Sequence, residues 1–153
     1  MNTYATYLKM IKWPFGHWIF SKAMCRLVPY FGSIYPHVIE IRPGYCCVEM
    51  KERKAVHNHI GTIHAIAMCN LCEIAMGMVS EATVVPPLRW IPKGISVQYL
   101  KKGKGKLTAT CEVDPKLIKP GDIDFPVQIK DEKGDIVVKG IIPVYITETP
   151  KSK

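Results

Sequence analysis

The chain has 153 residues, 48% of them hydrophobic and 22% charged, which places it among globular proteins and excludes wholesale disorder. That length is one domain's worth and buries a core without disulfide staples. Its net charge of +8, from 21 Lys and Arg against 13 Asp and Glu, favours an anionic partner: nucleic acid, a membrane surface or a phosphorylated ligand. Six cysteines are too few for a secreted disulfide scaffold. Cys46 beside Cys47, and Cys69 with Cys72 in an apolar run, read as reduced, buried thiols, and the expected setting is the cytoplasm.

Residues 1–39 hold no acid, yet Trp13, Phe15, Trp18 and Phe20 crowd them and Pro14 interrupts any signal-peptide core. A single domain over 1–153 is expected, with an N-terminal helical segment at 1–35, a core at 36–147 and a basic tail at 148–153. Phe20, Ala23, Met24 and Leu27 follow the i, i+3, i+4, i+7 spacing of a helix, which Pro29 and Gly32 close. The period then changes to two. Val38–Arg42, with Ile39 and Ile41 inward, and Tyr45–Lys51 form a predicted hairpin across Pro43-Gly44. The run Ile60–Val79 is long and apolar enough to cross a membrane, but His64, Asn70 and Glu73 interrupt it, so a buried helix over roughly 63–79 is expected instead. A weak strand is expected at Glu81–Arg89. Ile95–Lys101 and Leu107–Val113 are read as a hairpin turning at Gly103/Gly105, and Phe125, Val127 and Ile129 alternate toward a return strand Ile136–Ile146 after Lys133-Gly134. Pro143 marks that last strand as an edge or as bulged. One apolar helix followed by a strand meander has a natural α+β solution, in which a curved antiparallel sheet wraps the helix.

Chemistry concentrates in 58–73. Glu73 is the only acid between Glu52 and Glu81 and stands on an otherwise apolar helix. Burial of a carboxylate is costly unless it is bonded or used, so Glu73 is either held by a group such as Asn70 or functional. Asn58, Gly61, His64 and Glu73 also form a pattern: Gly three after Asn, His three after Gly, and an acid nine beyond the His. In these residues the chain resembles the PaaI-type hotdog thioesterases. Pro29-Tyr30-Phe31-Gly32, Asn58-His59, His64-Ala65-Ile66-Ala67 and Arg89-Trp90-Ile91-Pro92-Lys93 bring it nearest to an uncharacterised bacterial branch related to the YiiD C-terminal domain. The resemblance runs from about Trp13 to Ile146 and implies that the helix-in-sheet arrangement is the hotdog fold.

Further expectations follow from that resemblance. At about 100° per residue, the nine steps from His64 to Glu73 put the two on opposite helix faces, so one subunit does not bring both to one substrate. A two-fold dimer does, as in the resembling enzymes, and a dimer of dimers is the next assembly to consider. The substrate implied is an acyl-CoA or similar acyl thioester, with coenzyme A entering only as part of it. The backbone N–H near Ala65 would donate to the developing oxyanion, Asn58 would hold the thioester or attacking water, and Glu73 would be base or nucleophile. His64 either orients the loop or is a satisfied core histidine. Ile66 stands where the family commonly has a second Gly and narrows the mouth of the site. Gly77 stands one turn after the acid, where Ser or Thr often holds water, which leaves that task to Asn70. Lys101, Lys102, Lys104 and Lys106 are a solvated turn or a clamp for coenzyme A phosphates.

Other classes are weaker. His57, His59, His64 and Cys69 lack metal-ligand spacing, so no metal is expected. Cys69-x-x-Cys72 lies mid-helix and reads as core packing. No aromatic-interleaved basic motif supports nucleic-acid binding. Membrane contact is not expected. The rival readings are a non-catalytic acyl- or lipid-binding hotdog protein, on the evidence of Ile66 and Gly77, and a membrane-surface protein using the aromatic, basic N-terminus.

Overall fold

A helix with apolar side chains on nearly every face has to be enclosed, and the rest of the chain is arranged to do so. In the computed structural model, which describes residues 2–149, that helix is α3 (Ala65–Thr83). It is preceded by α1 (Thr3–Met10), α2 (Gly16–Leu27) and the strands β1 (His37–Arg42) and β2 (Tyr45–Lys51). After it come β3 (Leu88–Pro92), β4 (Ser96–Tyr99), β5 (Lys106–Glu112), β6 (Gly121–Lys130) and β7 (Ile136–Glu148). The strands form one antiparallel sheet in the order β1-β2-β5-β6-β7-β3, with β4 also paired to β7. Helix α3 packs mainly on β2 and β5. Its Leu71, Cys72, Ile74, Ala75 and Val79 meet Val48, Leu107, Ala109, Phe125 and Ile129 from the sheet in one fully buried core. Although α3 is long and apolar enough to cross a membrane, 67% of that stretch is buried inside the fold.

Several local expectations hold. The first hairpin turns at Pro43-Gly44, where Gly44 has φ +80°. In β5, Leu107, Ala109 and Cys111 point inward and Thr108 and Thr110 outward, and β6 pairs with β7 around a turn with Gly134 at φ +84°. The basic tail expected at 148–153 lies, from residue 150 on, outside the described residues.

Other elements differ. The expected strand over Glu81–Arg89 is split: α3 runs on to Thr83, and β3 starts only at Leu88. A register shift between Val38 and Glu40 turns Ile39 outward and brings Val38 and Ile41 into the core. Leu27, although in helical register with Phe20 and Met24, is exposed at the end of α2. β4 does not form a hairpin with β5. It pairs with β7 from Ser96↔Ile141 to Tyr99↔Val138, while β5 lies between β2 and β6. Nor is β7 an edge. The Pro143 carbonyl accepts from the Lys93 N–H at 2.8 Å, in the break between β3 and β4. A residue's N and C=O face the same neighbour in an antiparallel pair, so the missing proline N–H falls in that break and the strand tolerates it.

The two N-terminal helices meet at a tight corner. Asn2 caps α1 by accepting from the Ala5 N–H at 2.9 Å. At the start of α2 a Cβ on Gly16 would lie 2.0 Å from the Met10 carbonyl oxygen, so only glycine allows the helices to close this far. Buried Ser21 then ties α2 to the sheet, its hydroxyl accepting from the Val38 N–H at 2.9 Å.

Candidate functional site

The loop that leads into α3 is closed by one side chain. Asn58 Oδ1 accepts from the N–H groups of Ile60 and Thr62, both at 3.1 Å, and Nδ2 donates to Thr62 Oγ1 at 2.9 Å. Its backbone N–H donates to the Thr62 carbonyl at 2.8 Å. This is the local bonding at which asparagine excels in turns. Gly61 has φ +73° with open space around it, so glycine is needed there for backbone conformation rather than for room. The loop is pinned from outside as well, because Ile63 N–H donates to the Gly103 carbonyl at 2.9 Å and His64 N–H to the Val56 carbonyl at 2.8 Å.

His64 is the N-cap of α3. Its Nδ1 accepts from the Ile66 N–H at 3.0 Å, so this ring nitrogen carries no proton while the cap is made. The Ala65 N–H has no acceptor among the described residues. It is one of the unsatisfied donors that every helix start presents, at the positive end of the helix dipole. It opens on a cleft of about 360 Å³ also lined by Asn58, Thr62, Tyr99, Lys101 and Lys102. Ala65, Asn58 and the start of the lysine run are thus brought together.

Glu73 is not brought there. It is exposed, against the expectation of a buried acid, and has no hydrogen bond or ion pair among the described residues. It shares an outward stripe of α3 with half-buried Cys69 and with Ile66, which is 53% exposed. Asn70 does not bond it. Asn70 is buried and donates through Nδ2 to the Tyr30 carbonyl at 3.2 Å and to Ser33 Oγ at 3.3 Å. Its Oδ1 is buried with no partner among the described residues, and the residue lines a small cleft of about 190 Å³ with His57, His64 and Ile66. Buried amide oxygens ordinarily accept a hydrogen bond, so this one suits a donor entering the cleft.

The four lysines divide into two kinds. Lys101 Nζ lies 2.5 Å from Asp135 Oδ2 and Lys106 Nζ 2.9 Å from Glu49 Oε1. Lys102 and Lys104 are exposed and make no ion pair among the described residues.

Two participants escape sequence reasoning. Glu52 joins the lysine loop to the Asn58 loop: one oxygen meets His57 Nε2 at 2.8 Å, and the other accepts from the Gly105 N–H. Chiefly that amide, and then His57, hold its carboxyl below the usual glutamate value of 4.5. Tyr99 donates to or accepts from Cys69 Sγ at 2.9 Å, and burial together with this bond pushes its hydroxyl up to about 12. Neither lies in a recognisable spacing; both follow from the crossing of the 100–105 loop beside α3. All six cysteines are free, and burial raises the thiols of Cys46, Cys72 and Cys111. Cys69, unlike these core thiols, sits at the rim. Among the described residues no three His, Cys, Asp or Glu side chains gather as a metal site.

Strand order and an enclosed central helix define a hotdog-fold protein. The chain belongs to the family DUF4442, a domain of unknown function, whose model matches residues 16–146. A structural-genomics crystal structure is 33% identical over 96% of this chain and 98% of its own, with a TM-score of 0.85. A Pseudomonas aeruginosa protein of unknown function, described as a probable thioesterase, shares the fold at 19% identity and a TM-score of 0.73, covering 84% of this chain and 91% of that one. So does a hypothetical thioesterase from Streptococcus pneumoniae crystallised with coenzyme A, at 24% identity and a TM-score of 0.63, over 76% of this chain and 91% of that one. No curated protein matches the chain.

The Glu52 clamp has a pH signature. Because its folded pKa is depressed, its contribution is complete above the unfolded value near 4.5 and is lost as pH falls through the folded value. Glu52→Gln should therefore melt a few degrees below the parent at neutral pH, and the gap should narrow progressively in acid. Thermal melts of both proteins across that range check this; a constant gap would remove the carboxylate from the effect.

Proposed function

We propose that the protein hydrolyses acyl thioesters, in the manner of an acyl-CoA thioesterase, at a site built by two copies of the chain. The observation that carries the reading is the free Ala65 N–H at the start of α3 together with a solvent-facing, unbonded Glu73 on the same helix. From Ala65, the first residue of the helix, to Glu73 the axis rises about 12 Å. One protomer therefore does not put both on one carbonyl, whereas a two-fold partner presents its Glu73 to the neighbouring Ala65. A homodimer is the minimal unit, and a dimer of dimers repeats it.

The thioester carbonyl oxygen would take its developing charge to the Ala65 N–H, where a preorganised donor is worth about 10²–10³ in rate. Glu73 of the second copy acts either as base, taking a proton from the attacking water and passing it to the leaving thiolate, or as nucleophile, forming a mixed anhydride that water then hydrolyses. The thiolate leaves as coenzyme A and is protonated. His64, by capping the helix through Nδ1, fixes the geometry of the donor, while Asn58 and Gly61 shape the loop beside it. The unpartnered Asn70 Oδ1 supports a water-holding role that the hydrogen at Gly77 does not supply. Lys102 and Lys104 have their charge available for coenzyme A phosphates. No cofactor is required beyond the coenzyme A of the substrate, and six free thiols suit a cytoplasmic setting.

A second reading, an acyl- or lipid-binding protein without hydrolysis, is favoured by one feature. An apolar cleft of about 920 Å³ lies over Phe20, Met24, Gly77, Met78 and Trp90, one turn beyond Glu73. Space of that kind holds a ligand whether or not chemistry follows.

Glu73→Gln decides between them. With Glu73 catalytic, kcat on a panel of acyl-CoAs should fall by about 10²–10⁴, and the melting temperature should stay at the parental value, since the side chain makes no bond among the described residues. A parental rate would remove the enzyme reading. For the shared site, mixing Asn58→Ala with Glu73→Ala chains should restore partial activity through heterodimers carrying one intact site. Proven subunit exchange without recovery would refute that arrangement. Replacing Lys102 and Lys104 by Gln should raise KM for acyl-CoA and flatten its salt dependence, with little effect on an acyl-pantetheine that lacks the nucleotide phosphates. Replacing the paired Lys101 and Lys106 should change KM less.

A further inference from the structure

The α1–α2 corner carries a different function. Trp13 and Phe15 are 68% and 84% exposed and flank Pro14 at its tip, and Trp18, one turn into α2, is 56% exposed. Large aromatics this bare on a folded surface mark an interaction site rather than packing. The tip is rigid. Trp13 N–H donates to the Met10 carbonyl and Gly16 N–H to the Trp13 carbonyl, each at 3.0 Å, while Gly16 locks the two helices together with no space for a Cβ. Phe15 is held at φ +60°, a left-handed conformation unfavourable for an aromatic side chain, and its ring gains no burial in return. Backbone strain that produces exposure has its reason outside the protomer.

The charge around the tip says what that reason is. Lys9, Lys22 and Arg26 are exposed on the same two helices and Lys12 on the turn between them, and no Asp or Glu occurs in residues 1–39. Lys22 lies between two rings, 4.7 Å from the Tyr35 centroid and 5.6 Å from that of Trp18. We propose that this corner docks the protein on an anionic lipid bilayer, with Trp13, Phe15 and Trp18 entering the headgroup layer and the lysines meeting lipid phosphates. Amphipathic aromatic rings settle at that depth of a bilayer, and basic side chains beside them add electrostatic attraction. A second copy of the chain is the less suitable occupant. Two-fold contact would place the patch on itself and bring Lys9, Lys12 and Lys22 of one copy against those of the other, with, among the described residues, only Glu49 and Glu81 at the borders of α2 to offset them. The docking does not depend on the thioesterase reading, and it takes up the rival membrane-surface reading of the aromatic, basic N-terminus in place of the expectation of no membrane contact.

Co-sedimentation of the full chain with vesicles of phosphatidylcholine alone, and of phosphatidylcholine mixed with phosphatidylglycerol, tests the proposal. Binding is expected to the mixed vesicles, weakening as salt is raised, and not to phosphatidylcholine alone. The joint change Trp13→Ala with Phe15→Ala should lower the partition coefficient by at least about tenfold through the lost apolar contact. Lys9→Gln with Lys12→Gln should lower it about fivefold for each charge removed. These side chains are exposed, so both variants should keep the parental melting temperature, and hydrolysis of a water-soluble thioester should be unaffected. Absence of binding to anionic vesicles at low salt overturns the proposal, as does binding that survives the aromatic change. A parent that ignores vesicles, but whose dimer dissociates on gel filtration after the aromatic change, would instead assign the patch to self-association.

Discussion

Enclosing α3 leaves the helix, short of its last turn at Glu81 and Thr83, two places to meet solvent: its first turn and one narrow stripe. The sheet takes up Leu71, Ile74, Ala75 and Val79, and the turn after α2 holds buried Asn70, so neither of those faces is open for chemistry. What remains is the first turn, with the Ala65 N–H, and the line of Ile66, Cys69 and Glu73. The first turn is fixed by bonds from three separate segments: Gly103 to Ile63, Val56 to His64, and the internal bonding of Asn58. A donor anchored in this way does not reorganise when charge develops beside it, which is the condition for strong electrostatic stabilisation.

The parts of the fold legible in the sequence are those with local signals. The two-residue period of Leu107 to Cys111 and of Phe125 to Ile129, and the glycine turns at 44 and 134, each report on neighbours a few positions away. The partner of β4 is not local. Gly103 and Gly105 look like a hairpin turn, yet the Gly103 carbonyl is claimed by Ile63 and the Glu52 carboxylate takes the Gly105 N–H, so the segment becomes a strap between distant strands. A bulge at Val38–Glu40 is equally invisible, because alternation alone cannot say where one residue is skipped.

The candidate site was legible in its residue types and only partly in its geometry. Spacing brings Asn58, Gly61 and His64 to one loop, and the structure puts them there with Ala65 and Lys102. The same spacing made Glu73 stand out, but average hydropathy over α3 hides its exposed stripe, so the residue reads as buried when it is not. Asn70 is the converse. It is the polar group that burial isolates, with an amide oxygen left without a donor. Glu52 and Tyr99 have no sequence signature because their partners, Gly105 and Cys69, arrive through tertiary folding.

The place of β7 in the sheet bears on the order in which the chain acquires structure. Among the described residues β3 and β4 pair with no strand except β7, which is also the last in chain order. During synthesis the β1-β2 hairpin can form early, but residues 88–99 leave the ribosome with their backbone donors and acceptors open until 136–148 follow. For that interval two unpaired, partly apolar segments are available to other nascent chains, a known route to misassembly. Translation speed and chaperone supply, more than the stability of the finished fold, would then govern the yield of native protein in a heterologous host.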